Sequence, residues 1–148
     1  MRWTWSRFHD LGVDDLYDAL ALRGRVFAVE QDCAYLDADG IDRVSWHLLG
    51  RDAQGALMSY LRIVDAGAKY DEPSIGRVIT APEVRRTGAG RALMAEGLAR
   101  CLAAWPDRGI RIGAQAHLER FYGGFGFVRE GEPYLEDGIP HLQMWRAP

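Results

Sequence analysis

Residues 74–105 read SIGRVITAPEVRRTGAGRALMAEGLARCLAAW, and this stretch decides the fold. An apolar strand at Ile75–Ile79 is followed by a turn at Ala81-Pro82, a loop with two glycines, and a long helix from about Arg91. Glycine permits backbone turns that a Cβ forbids, so several N–H groups can converge in such a loop. The first turn of the helix adds unpaired N–H donors and the positive end of the helix dipole. The stretch therefore predicts a phosphate-binding loop between a strand and a helix.

Two common phosphate-binding motifs do not match this loop. A P-loop requires Lys directly after its last glycine, and Arg91 follows Gly90 here. A dinucleotide-binding fingerprint requires glycine where this chain has Leu93. The pattern that fits is [Q/R]-x-x-G-x-[G/A], with Arg85, Gly88 and Gly90 at its fixed positions. A tight strand-to-helix turn that binds nothing is the alternative explanation of the same residues.

Length and composition narrow the class of protein. The chain has 148 residues and is expected to form one domain, 1–148, with a substantial hydrophobic core. Its net charge of -3 argues against a general nucleic-acid-binding protein. It has no apolar run of membrane-spanning length and no signal-peptide core, so we expect a cytoplasmic protein without a membrane partner. Cys33 and Cys101 lack metal-site spacing, so no metal is expected.

Hydrophobic periodicity predicts the element order β-α-β-β-β-α-β-α-β-β. Strands are predicted at Arg2–Phe8, Trp46–Gly50, Leu57–Val64, Ile75–Ile79, Ile110–Gln115, Gly126–Val128 and Ile139–Trp145. Helices are predicted from about Asp14 to Val29, from about Arg91 to Trp105, and at His117–Tyr122. The order indicates an α/β (α+β) domain with a mixed, mostly antiparallel sheet flanked by helices.

The first helix is expected to bury one face. Its apolar residues at helical spacing are Val13, Leu16, Tyr17, Leu20 and Phe27. Gly24 lies inside the helix, where glycine costs about 1 kcal/mol relative to alanine. Close approach of another backbone or of a ligand would explain a glycine there.

The polar segment at residues 30–43 raises the question of a calcium site. An EF-hand loop places Gly sixth and Glu twelfth after its first Asp. Counting from Asp37, these two positions hold Asp42 and Leu48. The segment is therefore predicted to be a solvated turn.

A second motif follows the phosphate loop at residues 111–127. Gln115 ends a predicted strand, Tyr122 lies on the following short helix, and Gly126-Phe127 comes next. The two motifs together resemble the GNAT N-acetyltransferases, whose later motif has the form V-x-x-x-N-x-x-A-x-x-x-Y-x-x-x-G-F. Gln115 takes the place of Asn in this motif, and Leu118 takes the place of the usual Ala.

Four further stretches extend the resemblance to the ElaA-like branch of the GNAT superfamily over nearly the whole chain. They are residues 22–33, 37–40, 113–118 and 136–141. The resemblance implies the GNAT fold, with acetyl-CoA as the co-substrate that donates the acetyl group. It implies an amine of a small molecule or protein as acceptor, in a monomer or homodimer, and it does not identify that amine.

The resemblance also implies roles for individual residues in a direct transfer. A backbone N–H of Val78 or Ile79 would stabilise the developing oxyanion. Gln115 would contact the pantetheine arm, and Tyr122, which also borders the coenzyme, would protonate the leaving thiolate. The pyrophosphate would be bound by a continuous loop: Arg85, Arg86, Thr87, Gly88, Ala89, Gly90 and Arg91.

The base that takes the amine proton has two candidates, Glu30 and His141, and a bound water is the alternative. A solvated helix end and a strand residue at a turn explain these two positions equally well. Ordinary aromatic packing is an alternative explanation for Tyr122, and capping of the next helix is an alternative explanation for Gln115. A nucleophilic Cys33 lacks a histidine placed by the sequence to activate it.

Two other functions remain open from the sequence. A non-catalytic acyl-CoA binding or sensing module would need the same coenzyme loop. The pattern formed by Arg23, Val26, Phe27 and Glu30 also resembles acyl-homoserine lactone synthases. The Arg-x-x-Gly-x-Gly loop favours coenzyme A as the donor.

Overall fold

The structure, a computed structural model, describes residues 1–148 and contains eight strands and three α-helices. The strands are β1 (Arg2–Arg7), β2 (Ser45–Arg51), β3 (Leu57–Val64), β4 (Ser74–Thr80), β5 (Ile110–Gln115), β6 (Val128–Arg129), β7 (Tyr134–Glu136) and β8 (Ile139–Arg146). The helices are α1 (Val13–Arg23), α2 (Ala89–Ala104) and α3 (Glu119–Gly123). No helix combines the length and the apolar character that crossing a membrane requires.

The strands form two antiparallel sheets. The first has the order β1-β2-β3-β4, and the second has the order β5-β8-β6 with β7 also paired to β8. β4 and β5 start side by side, where the Arg111 N–H donates a hydrogen bond of 3.1 Å to the Pro73 carbonyl. They belong to separate sheets, so a gap opens between them beyond this point. The predicted mixed fold with antiparallel strands flanked by helices is confirmed.

The element order predicted from the sequence did not include strand β7. It forms a tight hairpin with β8, in which Glu136 pairs with Ile139 across a two-residue turn. Asp137 and Gly138 in that turn have φ values of 52° and 75°. Positive φ at both central residues matches the twist of a hairpin, and this explains the Asp-Gly sequence. The predicted turn is therefore present, and it closes a hairpin that reaches the site described below.

The two long helices cover opposite faces of the first sheet. Neighbouring residues of a strand point to opposite faces, so Leu48 packs into the core beneath α2 and Leu49 into the core beneath α1. Gly97 lets α2 lie close to β3, since a Cβ there would come within 2.6 Å of Leu61. Burial of apolar surface on both faces fixes the sheet between the helices.

The predicted buried face of the first helix is wrong for Val13, Tyr17 and Leu20, whereas Phe27 at its end does pack against the core. Val13 is 86% exposed and Tyr17 is 73% exposed, and Leu20 also faces solvent. The face that packs on the sheet carries Ala19, Leu22, Arg23 and Val26. A small alanine and a buried, ion-paired arginine do not register as hydrophobic in the sequence, so the apolar pattern indicated the opposite face.

One of the two explanations offered for Gly24, close approach of another backbone, is also wrong. A Cβ at this position would meet no atom within 4 Å, so no backbone approaches it closely. Gly24 instead begins a π-helical segment, Gly24–Glu30, that continues α1. π-Helical turns often occur at functional sites, and here the segment carries residues that line the cavity between the sheets, among them Phe27 and Glu30.

Candidate active site

A cavity of about 660 Å³ fills the gap between β4 and β5. Its lining brings together eight residues predicted from the sequence: Glu30, Val78, Ile79, Arg85, Gly90, Gln115, Tyr122 and His141. The other loop residues lie outside the lining. Arg86, Thr87 and Gly88 are exposed, Ala89 is buried, and Arg91 lines a neighbouring depression.

One wall of the cavity is a bulge in β4. Tyr60 of β3 pairs with Ile79, but Arg62 pairs with Gly76, so Arg77 and Val78 are left without register partners. Arg77 has a φ of 52°, a left-handed conformation that is strained for a residue with a Cβ. A bulge of this kind interrupts the ladder of hydrogen bonds between strands. Of the two predicted oxyanion donors, the geometry favours Val78 because Ile79 is in register with β3.

One end of the cavity is the start of α2. Gly88 is the N-cap and has a φ of 89°, which a residue with a side chain adopts only with strain. The Thr87 hydroxyl donates a hydrogen bond to the Val84 carbonyl and closes the loop. A Cβ at Gly90 would lie 3.9 Å from Phe121, so the glycine is not required by protein packing. At this end Gly90, in the first turn of α2, and the side chain of Arg85 border the cavity, which is an arrangement that suits an anion.

Tyr122 is 7% exposed, and its ring meets Phe121 and Phe127 edge-on. Burial raises the pKa of Tyr122 to about 12, so the phenol is protonated at neutral pH. The Tyr122 hydroxyl makes no hydrogen bond within the protein. It is not among the fully buried polar atoms without a partner, of which Arg62 Nε is the only one, so it keeps some contact with the cavity. The ring therefore packs in the core, as the packing interpretation predicted, and the hydroxyl makes no hydrogen bond that would occupy it; the proton-donor role stays a prediction.

Comparison with known proteins identifies the family and the fold. Residues 39–147 match the family model described as an acetyltransferase (GNAT) domain. The chain belongs to the GNAT acetyltransferase family.

Its relatives within the family include the ElaA proteins. A UPF0039 protein of Synechocystis is 45% identical over 100% of this chain and 97% of its own length. Protein ElaA of Escherichia coli is 42% identical over 96% of this chain and 95% of its own length. The predicted GNAT and ElaA-like relationship is confirmed.

Two solved structures agree with this assignment. The crystal structure of E. coli ElaA matches with a TM-score of 0.92 and 41% identity over 98% of each chain. An acyl-CoA N-acyltransferase from Pseudomonas aeruginosa matches with a TM-score of 0.93 and 41% identity, covering 99% of this chain and 100% of that one. These matches span the whole GNAT fold, including both sheets that bound the cavity.

Arg85 and Glu30, two of the predicted site residues, are paired with each other. Both guanidinium nitrogens of Arg85 donate to the Glu30 carboxylate, at 2.6 and 3.0 Å. Each side chain is 39% exposed, and pairs in such positions contribute about 1 kcal/mol or less. Exchange of Glu30 for another anion at Arg85 is therefore inexpensive in free energy.

Gln115 and His141 line the middle of the cavity. The Gln115 side-chain N–H donates to the Gln31 side-chain oxygen at 3.3 Å, so Gln115 links β5 to the end of the π-helical segment rather than capping the next helix. His141 Nδ1 donates to the Ile139 carbonyl at 2.7 Å, and its Nε2 lies 3.3 Å from Glu136. Nδ1 therefore carries the proton of this bond, and Nε2 faces the Glu136 carboxylate.

The acidic segment is an irregular and largely exposed stretch, but the predicted solvated turn is wrong for Asp42, which is buried. Asp42 is 7% exposed and accepts hydrogen bonds from Arg23 at 2.8 Å and from Arg62 at 2.9 Å, two arginines that are each 1% exposed. Burial by itself raises the pKa of Asp42, but the two guanidinium groups outweigh it and lower the pKa. Sequence spacing did not reveal this pairing, because the arginines come from α1 and β3.

The same acidic segment supports the bulge in β4. Arg77 Nε donates to Asp37 at 2.8 Å, and Arg77 also lies 3.4 Å from Asp39. Its guanidinium stands over the rings of Phe27 and Tyr35, 5.7 and 5.9 Å from their centroids. No three His, Cys, Asp or Glu side chains are arranged to hold a metal ion. The acidic residues act instead as partners of arginine.

Sequence reasoning missed Arg77, which shapes the bulge, and the β7–β8 hairpin, which brings Tyr134 and Glu136 to the cavity. An arginine inside an apolar strand is a weak signal, and only its ion pairs and its positive φ reveal its role. Cys33 also lines the cavity, but its thiol lies 3.4 Å from the Asp137 carbonyl and has no histidine partner.

Proposed function

We propose that this protein is an N-acetyltransferase that moves an acetyl group from acetyl-CoA directly to an amine of a small molecule or protein. The observation that carries the proposal is the cavity between β4 and β5, which joins three features. The loop at the start of α2 lies at one end, a bulged strand edge forms one wall, and a protonated phenol borders the space. Acyl transfer from a phosphate-bearing thioester could use all three.

The loop at the start of α2 would hold the diphosphate of the donor. The N–H groups of the first helical turn and the positive end of the helix dipole favour an anion there. Arg85 would exchange its weak bond to Glu30 for the diphosphate, and the exposed Arg86 and Arg91 would add positive charge. Thr87, Gly88, Ala89 and Gly90 complete the turn, and Gly90 leaves room for close approach of the ligand.

The bulge would serve the reacting centre. The pantetheine arm would run along the free edge of β4, as an added strand does, with Gln115 across from it. The Val78 N–H would donate to the carbonyl oxygen as negative charge develops there. Holding the amine and the thioester in one cavity supplies much of the rate acceleration, because the reaction becomes effectively unimolecular.

Two proton transfers complete the reaction. The amine proton would pass to Glu30, to His141 Nε2 or to a bound water. The Tyr122 hydroxyl, protonated at neutral pH, would donate to the departing thiolate. No metal takes part in this mechanism.

A non-catalytic acyl-CoA binding module is the second candidate, and one observation favours it. Both candidate bases are already engaged, Glu30 with Arg85 and His141 with Glu136. A protein that only binds the coenzyme would have no need of a free base in the cavity.

Ligand binding and turnover distinguish the two candidates. We expect acetyl-CoA to raise the melting temperature, since a ligand at 100 times its Kd contributes about 2.7 kcal/mol. We expect thiol release from acetyl-CoA with at least one amine of a broad panel. Stabilisation without thiol release would favour the binding module, and no stabilisation would contradict both. The cytoplasmic location and the monomeric or homodimeric state stay predictions.

A further inference from the structure

Lys69 is the only lysine among the 18 lysine and arginine residues of the chain. It lies in the loop between β3 and β4 and lines the same cavity as Val78, Tyr122 and His141. The Gly67 N–H donates to the Tyr70 carbonyl at 2.7 Å, so this loop is folded into a compact turn. Lys69 is exposed as a residue, although neighbouring groups crowd its ammonium end, and its long side chain can change rotamer.

Lys69 differs from the other cations of the cavity because it has no carboxylate partner. Arg62 and Arg77 are paired with Asp39, and Arg85 is paired with Glu30. The contact of the Lys69 ammonium is with the ring of Tyr70, 5.5 Å from its centroid. An amine that is not locked in an ion pair can approach an electrophile in the cavity.

The surroundings of Lys69 also favour the neutral amine. Withdrawal from water lowers the pKa of Lys69, and repulsion by Arg62 and Arg77 adds to this effect, against a smaller attraction by Glu136 and Asp39. A neutral amine is the form that attacks a thioester. The chain therefore places its single lysine on the cavity of the proposed acetyl donor, in surroundings that lower the pKa of the amine.

We propose that Lys69 is itself an acetyl acceptor, modified in the same molecule that binds acetyl-CoA. The Lys69 Nζ lone pair attacks the thioester carbonyl carbon, a C–N bond forms, and the C–S bond breaks. Sulfur leaves with the bonding electron pair, and the proton lost by nitrogen ends on the thiol. The products are an acetylated lysine amide and free coenzyme A, and no oxidant or further reactant is needed. This inference rests on the proposed function.

The test is incubation of the full chain with isotope-labelled acetyl-CoA, followed by intact mass measurement and peptide mapping. We expect one acetyl group on Lys69, at a rate independent of protein concentration, and none in Lys69→Arg. Peptide mapping separates this product from acetylation of the Met1 amino group. Thermal stabilisation by acetyl-CoA is measured on the same samples.

A matched control tests whether the cavity is responsible. Arg43 is exposed, has no ion pair and does not line the cavity. In the double variant Lys69→Arg with Arg43→Lys, the lysine is merely a surface amine that acetyl-CoA can modify chemically. We expect labelling at position 69 of the native chain to be at least about tenfold faster than at position 43 of the variant, because the reacting groups share one cavity.

Each outcome separates this inference from the function on which it rests. Equal rates at positions 69 and 43, or a rate that rises with protein concentration, would overturn transfer within one molecule. Stabilisation by acetyl-CoA with no label on Lys69 would overturn the inference and leave the proposed function intact. Absence of both stabilisation and label would overturn the two together.

Discussion

Arg77 keeps a left-handed backbone, with a φ of 52°, in the middle of β4. Such a conformation costs about 1–2 kcal/mol for a residue with a Cβ. Its ion pairs with Asp37 and Asp39 and its position over two aromatic rings offset this strain. The strained residue directly precedes Val78, the proposed oxyanion donor. The side-chain contacts of Arg77 therefore help to hold the backbone of the bulge next to Val78.

The Tyr122 hydroxyl is the residue-scale feature most directly tied to turnover. We predict that Tyr122→Phe lowers kcat at least about tenfold, which corresponds to about 1.4 kcal/mol of barrier, because the thiolate loses its proton donor. The free energy of unfolding is expected to change little, since the hydroxyl makes no hydrogen bond within the protein. Thiol release and chemical denaturation measure the two effects.

Tyr17→Phe is the control for this substitution, because Tyr17 is 73% exposed and lies outside the cavity. Its kcat should match that of the native chain. Unchanged turnover in Tyr122→Phe would remove Tyr122 from the mechanism and leave its ring as ordinary core packing.

Glu30 can be tested for two roles at once. We predict that Glu30→Gln tightens acetyl-CoA binding severalfold, because Arg85 no longer has a competing carboxylate and an exposed pair contributes about 1 kcal/mol or less. The gain should shrink as salt is added, since salt screens exposed charges. Titration calorimetry at two salt concentrations measures it, and kcat should change less than about twofold, which is far below the range of general base catalysis.

The chain contains a matched pair for this experiment. Arg25 and Glu83 form a similar exposed ion pair, at 2.6 Å, and neither lines the cavity. Glu83→Gln should leave acetyl-CoA affinity unchanged. A tenfold fall in kcat for Glu30→Gln would instead identify Glu30 as the general base.

At the scale of elements, the start of α2 decides whether the protein can hold a diphosphate. The helix begins at Ala89, about two residues earlier than the sequence pattern indicated, because Gly88 serves as N-cap with a φ of 89°. Substitution of Gly88 would strain the loop itself. Gly90 gives a cleaner test, since the protein has space for a methyl group there.

We predict that Gly90→Ala weakens acetyl-CoA binding at least about tenfold, or about 1.4 kcal/mol, because the added methyl group occupies space that the diphosphate needs. The variant should unfold at the same or a slightly higher temperature, since alanine is favoured over glycine in helices by up to about 1 kcal/mol. Thermal shifts with and without acetyl-CoA measure both quantities.

Gly24→Ala is the control for Gly90→Ala, because it also replaces a helical glycine by alanine but at a position outside the cavity. Gly24 has helical dihedral angles, φ -61° and ψ -42°, and no atom lies within 4 Å of an added Cβ. It should gain a similar stability and keep full affinity for acetyl-CoA. Full affinity in Gly90→Ala as well would refute diphosphate binding at the start of α2.

At the scale of the whole molecule, a buried ion network joins four parts of the chain. Arg23 of α1, Arg62 of β3 and Arg77 of β4 all bind carboxylates of the segment between α1 and β2. A buried ion pair is not strongly stabilising by itself. Removal of one partner is costly, however, because the other charge is left unpaired in the protein interior. The network therefore determines where the acidic segment lies against the cavity.

We predict that Asp42→Ala lowers the free energy of unfolding by about 3–5 kcal/mol, because two guanidinium groups that are each 1% exposed lose a shared acceptor. Asp42→Asn keeps an acceptor oxygen at the same place and should cost less. Urea denaturation at constant m-value measures the two variants. Equal stability of Asp42→Ala and the native chain would contradict the importance of the network.

The network also makes the free energy of unfolding of the native chain depend on pH. Hydrogen bonds from arginine outweigh burial and lower the pKa of Asp42 in the folded state. The unfolded chain then binds more protons at low pH, so the stability from Asp42 is present above pH of about 4 and is lost as pH falls below it. Asp42→Asn should flatten this part of the pH profile.

The sequence predicted elements more reliably than faces. β3 and β5 have the predicted bounds, because each is a short, mostly apolar run of strand length. The prediction of which face of α1 is buried was wrong, since the face that is buried carries Arg23 beside Ala19 and Leu22. Hydrophobicity marks arginine as a surface residue, and only the carboxylates brought to it by folding make its burial possible.

What the chain determined by itself is its order of elements, the glycine loop before α2 and the family to which it belongs, because these depend on residues close together in the sequence. Folding alone decided how the predicted site residues meet. Glu30 and Arg85 are 55 positions apart and Asp37 and Arg77 are 40 apart, yet each pair is in direct contact. Ion pairs and bulges of this kind form only when distant segments pack together, so no local pattern of residues could contain them.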